Sequence, residues 1–151
     1  MIKNIFDSAI TNEVIDRINK LTSESKPLWG TMSVAKMLAH CNVTYEMVYS
    51  DKHAKPNPIM KFILKLLIKN KVVGEQPYKH NLRTAPAFII KDEKEFEKEK
   101  STLIEYNRKT QQLGGHHFNG KESNSFGPLT QQQWNNMFYK HLDHHLQQFG
   151  V

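Results

Sequence analysis

The stretch LTQQQWNNMFYKHLDHHLQQFG, residues 129–150, constrains this chain more than any other. Thr130 followed three residues later by Gln133 is a capping box, in which the threonine caps and the glutamine reaches back to the first turn. With Trp134 at zero and about 100° per residue, Met137, Phe138, Leu142 and Phe149 fall in one stripe from about −60° to +80°. A helix over about 131–148 has to bury that stripe. His141 at about −20° and His145 at about +20° stand in its middle, while Asn136, Asp143 and Gln147 lie near the opposite side. His144, near −80°, sits at the rim and reads as partly solvated.

Two imidazoles side by side in a core must each find hydrogen-bond partners, and leaving them without any costs on the order of a few kcal/mol. A divalent ion removes that cost. Residues four apart on a helix are separated by about 6 Å along the axis on one face, so their ring nitrogens can converge on one ion. Spacing alone leaves two readings open, a satisfied core pair or a metal site.

The rest of the chain also reads as helix. Ile10, Val14, Ile18 and Leu21 recur at helical spacing in a first helix that begins near Asp7 or, with Thr11 as cap, somewhat later, and ends near Leu21. Pro27 and Gly30 break it. Ser33 then caps a second helix, running to about Tyr49, with Val34, Met37, Leu38, Cys41, Tyr45 and Val48 on one stripe. A connector from Ser50 to about Lys91 holds Pro56, Pro58, Pro77 and Pro86 and one helical piece near Ile59 to Lys69, and RTAPAFII reads as extended. The segment KDEKEFEKEKSTLIEYNRKTQQLGG opens with acids and closes on a double glycine, as a third long helix with a glycine stop should. HHFNGKESNSFGP reads as a loop. No strand alternation is evident, so the expected class is all-α: a four-helix bundle over residues 1–151 as one domain, with a long crossover between the second and third long helices containing a short extra helix.

A chain of 151 residues is long enough to bury a core without staples. Its single cysteine, Cys41, excludes an intramolecular disulfide framework and fits a reducing compartment, and it reads as core packing rather than as a nucleophile. Lys3, Asp7, Glu13 and Asp16 interrupt the region where an export signal would need an apolar run, so the expected location is cytoplasmic. In PIMKFILKLLIKNKVV, four lysines interrupt a stretch shorter than the roughly 20 apolar residues a membrane span needs. Its Ile and Leu face is expected to cover the bundle while Lys61, Lys65 and Lys69 stay in water, which gives no membrane partner. The formal charge of +6 favours anions in general, but the basic residues are spread out and no groove-reading motif appears, so no nucleic-acid partner is expected. The expected partner is a small-molecule substrate, and a homodimer is an admissible assembly.

A helical histidine pair needs a third protein ligand from another element. His53, His80, His116 and His117 fall in the connector or loops, where solvated histidine is the ordinary reading. Only His40 lies on a predicted core helix.

WGTMSVAKMLAHC, residues 29–41, resembles the second-helix motif of the DinB/YfiT-like superfamily, in which a tryptophan and a capping Ser or Thr precede a helix bearing a metal-binding histidine. KHLDHHLQQFG resembles that family's last-helix motif, and EQPYKHNLRTAPAFIIKDEKEFEKEKSTLIEY with FGPLTQQQW resembles a subgroup known only as a domain of unknown function. The resemblance spans nearly the whole chain. It implies a DinB-like four-helix bundle and, position by position, His40, His141 and His145 as ligands. Leu146 and Gln147 stand where the superfamily often carries Arg-Gly, and Ser123 to Ser125 where relatives carry a His-Pro pair.

Three neutral imidazoles leave an ion its full charge and an open position, as catalytic zinc sites do. Such an ion lowers the pKa of water toward about 7 and ionises a thiol more readily still. The resemblance implies zinc, nickel or another divalent metal and, from characterised relatives, chemistry with low-molecular-weight thiols. The expected function is therefore a metal-dependent enzyme acting on a small metabolite or thiol conjugate, with thiol transfer ahead of hydrolysis. The rival expectation is a non-catalytic binding or stress-response module whose metal is structural or vestigial. His144 and Thr44 are the candidates to support the ligands. Asp143 and Glu46 face away, so no general base is named.

Overall fold

The computed structural model describes residues 1–151. Asp7 caps helix α1 (Ser8–Asn19), its carboxylate accepting from the Ala9 amide at 2.8 Å. Of the two starts open in the sequence the earlier one is realised, because Thr11 is engaged elsewhere: its buried hydroxyl donates to the Ile5 carbonyl at 2.6 Å. Ser33 caps α2 (Val34–Tyr49), whose Val34, Met37, Leu38, Cys41 and Tyr45 are buried.

The crossover that follows holds more structure than its sequence suggested. Asn57 caps α3 (Pro58–Leu67), and a second short helix, α4 (Lys69–Val73), continues directly from it. RTAPAFII is not extended throughout, since Pro86–Phe88 forms a single 3₁₀ turn. The expectation that α3 lays its Ile and Leu face on the bundle is not met: no α3 residue is buried, and Ile59, Phe62, Ile63, Leu66 and Leu67 are all exposed. Its inward side is instead formed by Met60, Leu64 and Ile68, which leaves the wider apolar side in solvent.

The double glycine does not end α5 (Phe96–Phe118) as expected. Gly114, at φ +70° and ψ 162°, breaks the helical path, and the chain then takes one more turn through His116 and His117. Burial of Phe118 provides the physical reason: its ring lies 5.4 Å from both Phe6 and Phe138 in the centre of the core. Gly115 passes so close to Gln131 that a Cβ there would collide with its side chain. The following loop carries a minimal hairpin, β1 (Glu122–Ser123) against β2 (Gly127–Pro128), the only strands in a mostly helical chain.

The last helix, α6 (Gln131–Gln148), opens on the expected capping box, with the Gln133 amide donating to Thr130 Oγ1 at 3.2 Å and the Thr130 amide to Gln133 Oε1 at 3.1 Å. Faces of α1, α2, α5 and α6 meet in one hydrophobic cluster around Tyr45, Phe118, Trp134 and Phe138. The side of α6 read as solvent-facing at Asn136 is buried as well, by the crossover. Asn136 donates to the Val73 carbonyl at 2.9 Å, and the ammonium of neighbouring Lys140 donates to the carbonyls of Lys71, Gly74 and Gln76 at 2.9, 2.6 and 3.0 Å. Carbonyls at a helix end lack intrahelical partners, and a lysine with three donors satisfies several of them at once. The same ammonium lies 4.6 Å from the Tyr78 ring centre, so α6 holds the crossover down through one buried cation.

Candidate metal centre

His40 projects from α2, and His141 and His145 project from successive turns of α6. One ring nitrogen from each lies within 4.8 Å of the others, and His40 Nε2 is 3.0 Å from His141 Nε2. Tetrahedral zinc with bonds of 2.0–2.1 Å holds its donors about 3.3 Å apart, so small ring rotations would bring the three onto one ion.

The hydrogen bonds behind the rings decide which nitrogens are free. His40 Nδ1 faces the Phe88 carbonyl at 2.9 Å, and a carbonyl only accepts, so Nδ1 carries the proton and Nε2 keeps its lone pair. Gln148 donates through Nε2 to the Trp29 carbonyl at 2.8 Å, which fixes its Oε1 as the acceptor for His145 Nδ1, also at 2.8 Å. His145 Nε2 therefore carries a lone pair too. Thr44 Oγ1 lies 3.0 Å from His141 Nδ1 and can donate or accept. Without an ion, His141 Nε2 must hold a proton between itself and His40; accepting the Nδ1 proton, Thr44 lets all three Nε2 atoms turn lone pairs inward. The donor set fits a divalent metal, with a supporting partner behind every ring.

Electrostatics agree with neutral ligands. Burial lowers the pKa of His40 and holds His141 well below the usual imidazole range, with the charges that His145, His40 and His144 would carry acting the same way. Burial and His40 hold His145 down to about 3, against the hydrogen bond that its Nδ1 donates to Gln148. Rings that are neutral at neutral pH need lose no net charge to take a metal; only the His141 proton has to move from Nε2 to Nδ1.

The cluster forms the floor of a cavity of about 780 Å³. Met47, Leu64, Phe88, Phe126 and Met137 supply apolar wall, and Lys79 and Arg83 stand at its rim. The crossover is the roof, so the segment that reads as a mere connector supplies nearly half of the residues that line the pocket.

The other residues singled out in the sequence fall as follows. Thr44 supports His141, whereas His144 hydrogen-bonds none of the three clustered histidines and packs its half-buried ring near Tyr78 and Trp29. Asp143 pairs with Arg17 at 2.7 Å, and Glu46 with Lys52 and His53 at 2.9 and 2.7 Å, so both acids point away from the cavity floor. His116 and His117 are exposed. His80 is exposed, as expected of a connector histidine, and stacks on Trp29 with ring centres 3.8 Å apart. Cys41 is buried against Met37, and burial pushes its thiol pKa far up, as suits packing. Two supports were missed. Gln148, at about −40° on the α6 wheel, is an amide within the apolar stripe and was a legible signal; the Phe88 carbonyl is backbone and left none.

A family model described as a protein of unknown function, DUF1569, matches residues 6–150. The chain belongs to the DUF1569 family. No curated protein and no solved structure matches it. Residues 6–150 include every side chain of the centre, so the three-histidine cluster of this DUF1569 chain lies wholly inside the matched region. No helix of the DUF1569 chain is long and apolar enough to cross a membrane.

Proposed function

We propose that the protein is a divalent-metal-dependent enzyme, with His40, His141 and His145 as ligands, acting on a small metabolite or a low-molecular-weight thiol conjugate. One observation carries this reading: three lone-pair nitrogens converge at the floor of a cavity large enough for a small molecule. A structural ion is ordinarily enclosed by four protein ligands, whereas three histidines facing a cavity leave a position for substrate.

The resemblance to the DinB/YfiT-like superfamily supports the same reading and extends it to a DinB-like four-helix bundle, with zinc or nickel as the metal and thiol transfer ahead of hydrolysis. When bound, the ion supplies Lewis acidity, lowering the pKa of water toward about 7 and stabilising a thiolate. The chain's own residues orient the rings through Phe88, Thr44 and Gln148, exclude water from an apolar part of the substrate along Met47, Leu64 and Phe88, and offer Lys79 and Arg83 to an anionic end.

Elemental analysis of protein purified without an affinity tag or chelator, beside His141→Ala, is the primary test. About one divalent ion per chain, lost in the variant, is the expected result. Cobalt-substituted protein is then titrated with low-molecular-weight thiols and carboxylates, and a change in its visible absorption is expected for at least one of them. An ion that binds yet responds to none of these would favour the non-catalytic module, and no ion under any loading condition would end the metal reading.

A further inference from the structure

The outward side of α3 has no partner within the chain. Ile59, Phe62, Ile63, Leu66 and Leu67 are 75%, 66%, 40%, 69% and 61% exposed, and they follow one another at the i, i+3, i+4, i+7, i+8 spacing of a single helical stripe. Scattered exposed apolar residues need no explanation, but five in one contiguous stripe mark an interaction surface. On a wheel with Ile59 at zero the stripe runs from about −60° to +80°, Met60, Leu64 and Ile68 occupy the cavity side, and Lys65 and Lys61 follow beyond the stripe's other edge.

Charge selects the occupant. From Lys52 to Gly74 the chain carries six lysines and no acid. Lys52 is paired with Glu46 and Lys61 with Glu122, while Lys55, Lys65, Lys69 and Lys71 form no ion pair. A second copy of the chain fits poorly, because a two-fold contact sets the same patch against itself and would bring these lysines together with no acid to answer them. A projecting helix with an aromatic and aliphatic stripe and unanswered lysines has the character of a segment that lies in a lipid–water interface.

We propose that α3 docks the protein on an anionic lipid bilayer, with Phe62, Ile63 and Leu66 entering the boundary between headgroups and acyl chains and the unpaired lysines of the same segment at the headgroups. The expectation of no membrane partner rested on the Ile and Leu face being covered by the bundle, and that face is open. Docking here is peripheral and reversible, and it does not depend on the metal reading.

The test is flotation of the full chain with phosphatidylcholine vesicles, with and without a third of the lipid replaced by phosphatidylglycerol. The chain is expected to float with the anionic vesicles, to stay behind with the neutral ones, and to be released by high salt. Phe62→Ser with Leu66→Ser, and separately Lys65→Glu with Lys69→Glu, are expected to lower the bound fraction about tenfold or more at an unchanged circular dichroism spectrum, since all four side chains lie outside the core. Failure of the wild-type chain to float with anionic vesicles overturns the proposal, as does flotation that survives the Phe62→Ser, Leu66→Ser pair. A concentration-dependent dimer in light scattering that the same pair converts to monomer would assign the stripe to a second copy and overturn it equally.

Discussion

Gln148 accepts the Nδ1 proton of His145 at 2.8 Å while donating to the Trp29 carbonyl at the same distance. One amide thus fixes both the tautomer of His145 and the stretch of chain that enters α2. Replacing it by leucine keeps the bulk and removes both bonds. Gln148→Leu is expected to weaken divalent-metal affinity by roughly 10- to 100-fold, the usual cost of losing such a support. Competition against a chelating dye measures it, and an affinity equal to wild type would show that the amide does not orient the ring.

Removing a ligand should separate metal binding from folding. Zinc at about 100 times its dissociation constant stabilises a protein that binds it only when folded by roughly 2.7 kcal/mol. Wild-type Tm is expected to rise on zinc addition and that of His141→Ala or His40→Ala to stay where it was. A full zinc-dependent rise in His141→Ala would place the ion elsewhere.

The stability of the metal-free protein should depend on pH with a definite sign. Burial holds His145 at about 3 and His40 and His141 below the ordinary imidazole range, whereas in the unfolded chain all three titrate near about 6.5. Below that value the unfolded state binds more protons than the folded one. Stability is therefore complete above about pH 6.5 and falls as pH drops through the interval, by up to about 1.4 kcal/mol per pH unit for each histidine. Urea midpoints in chelator at a series of pH values test this, and a midpoint that holds or climbs on acidification would contradict it.

Lys140→Met leaves the carbonyls of Lys71, Gly74 and Gln76 without their shared donor. A loss of about 1–3 kcal/mol is expected, in line with unsatisfied buried acceptors. Amide exchange should quicken in residues 70–78 while the middle of α2 keeps its protection. Equal acceleration everywhere would mean that the lysine supports the whole core rather than the roof.

Gly114 adopts φ +70° with ψ 162°, a conformation essentially reserved for glycine, although a Cβ there would meet nothing within 4 Å. Gly114→Ala is expected to cost about 1–3 kcal/mol through the backbone alone. A thermal melt indistinguishable from wild type would show that the break in α5 can relax without penalty.

How much of this was legible depended on how local its cause was. The caps at Ser33 and Thr130, the stripe of α6 and the direction of His141 and His145 follow from neighbours within one or two helical turns, and all are realised. His40 was found because it alone among the remaining histidines lay on a core helix. What the sequence hid depends on distant chain. Asn136 reads as solvent-facing until the crossover is laid over it, the helical turn after Gly114 exists because Phe118 has a core to enter, and the wide face of α3 is open because its narrower side meets the cavity. Helical periodicity says which residues share a side, not which of two apolar sides a helix will turn inward.

The bond from His40 Nδ1 to the Phe88 carbonyl joins residues 48 positions apart, across the whole crossover. Closing a loop of that length is entropically costly and belongs to the slow, non-local part of folding, after neighbouring turns of helix have formed. Until it closes, the proton on His40 is free to sit on either nitrogen. The tautomer that leaves His40 Nε2 its lone pair is therefore set by a non-local contact and not by α2 itself, so in refolding the ring-proton resonances of His40 should settle after the helical signal and report closure of the crossover.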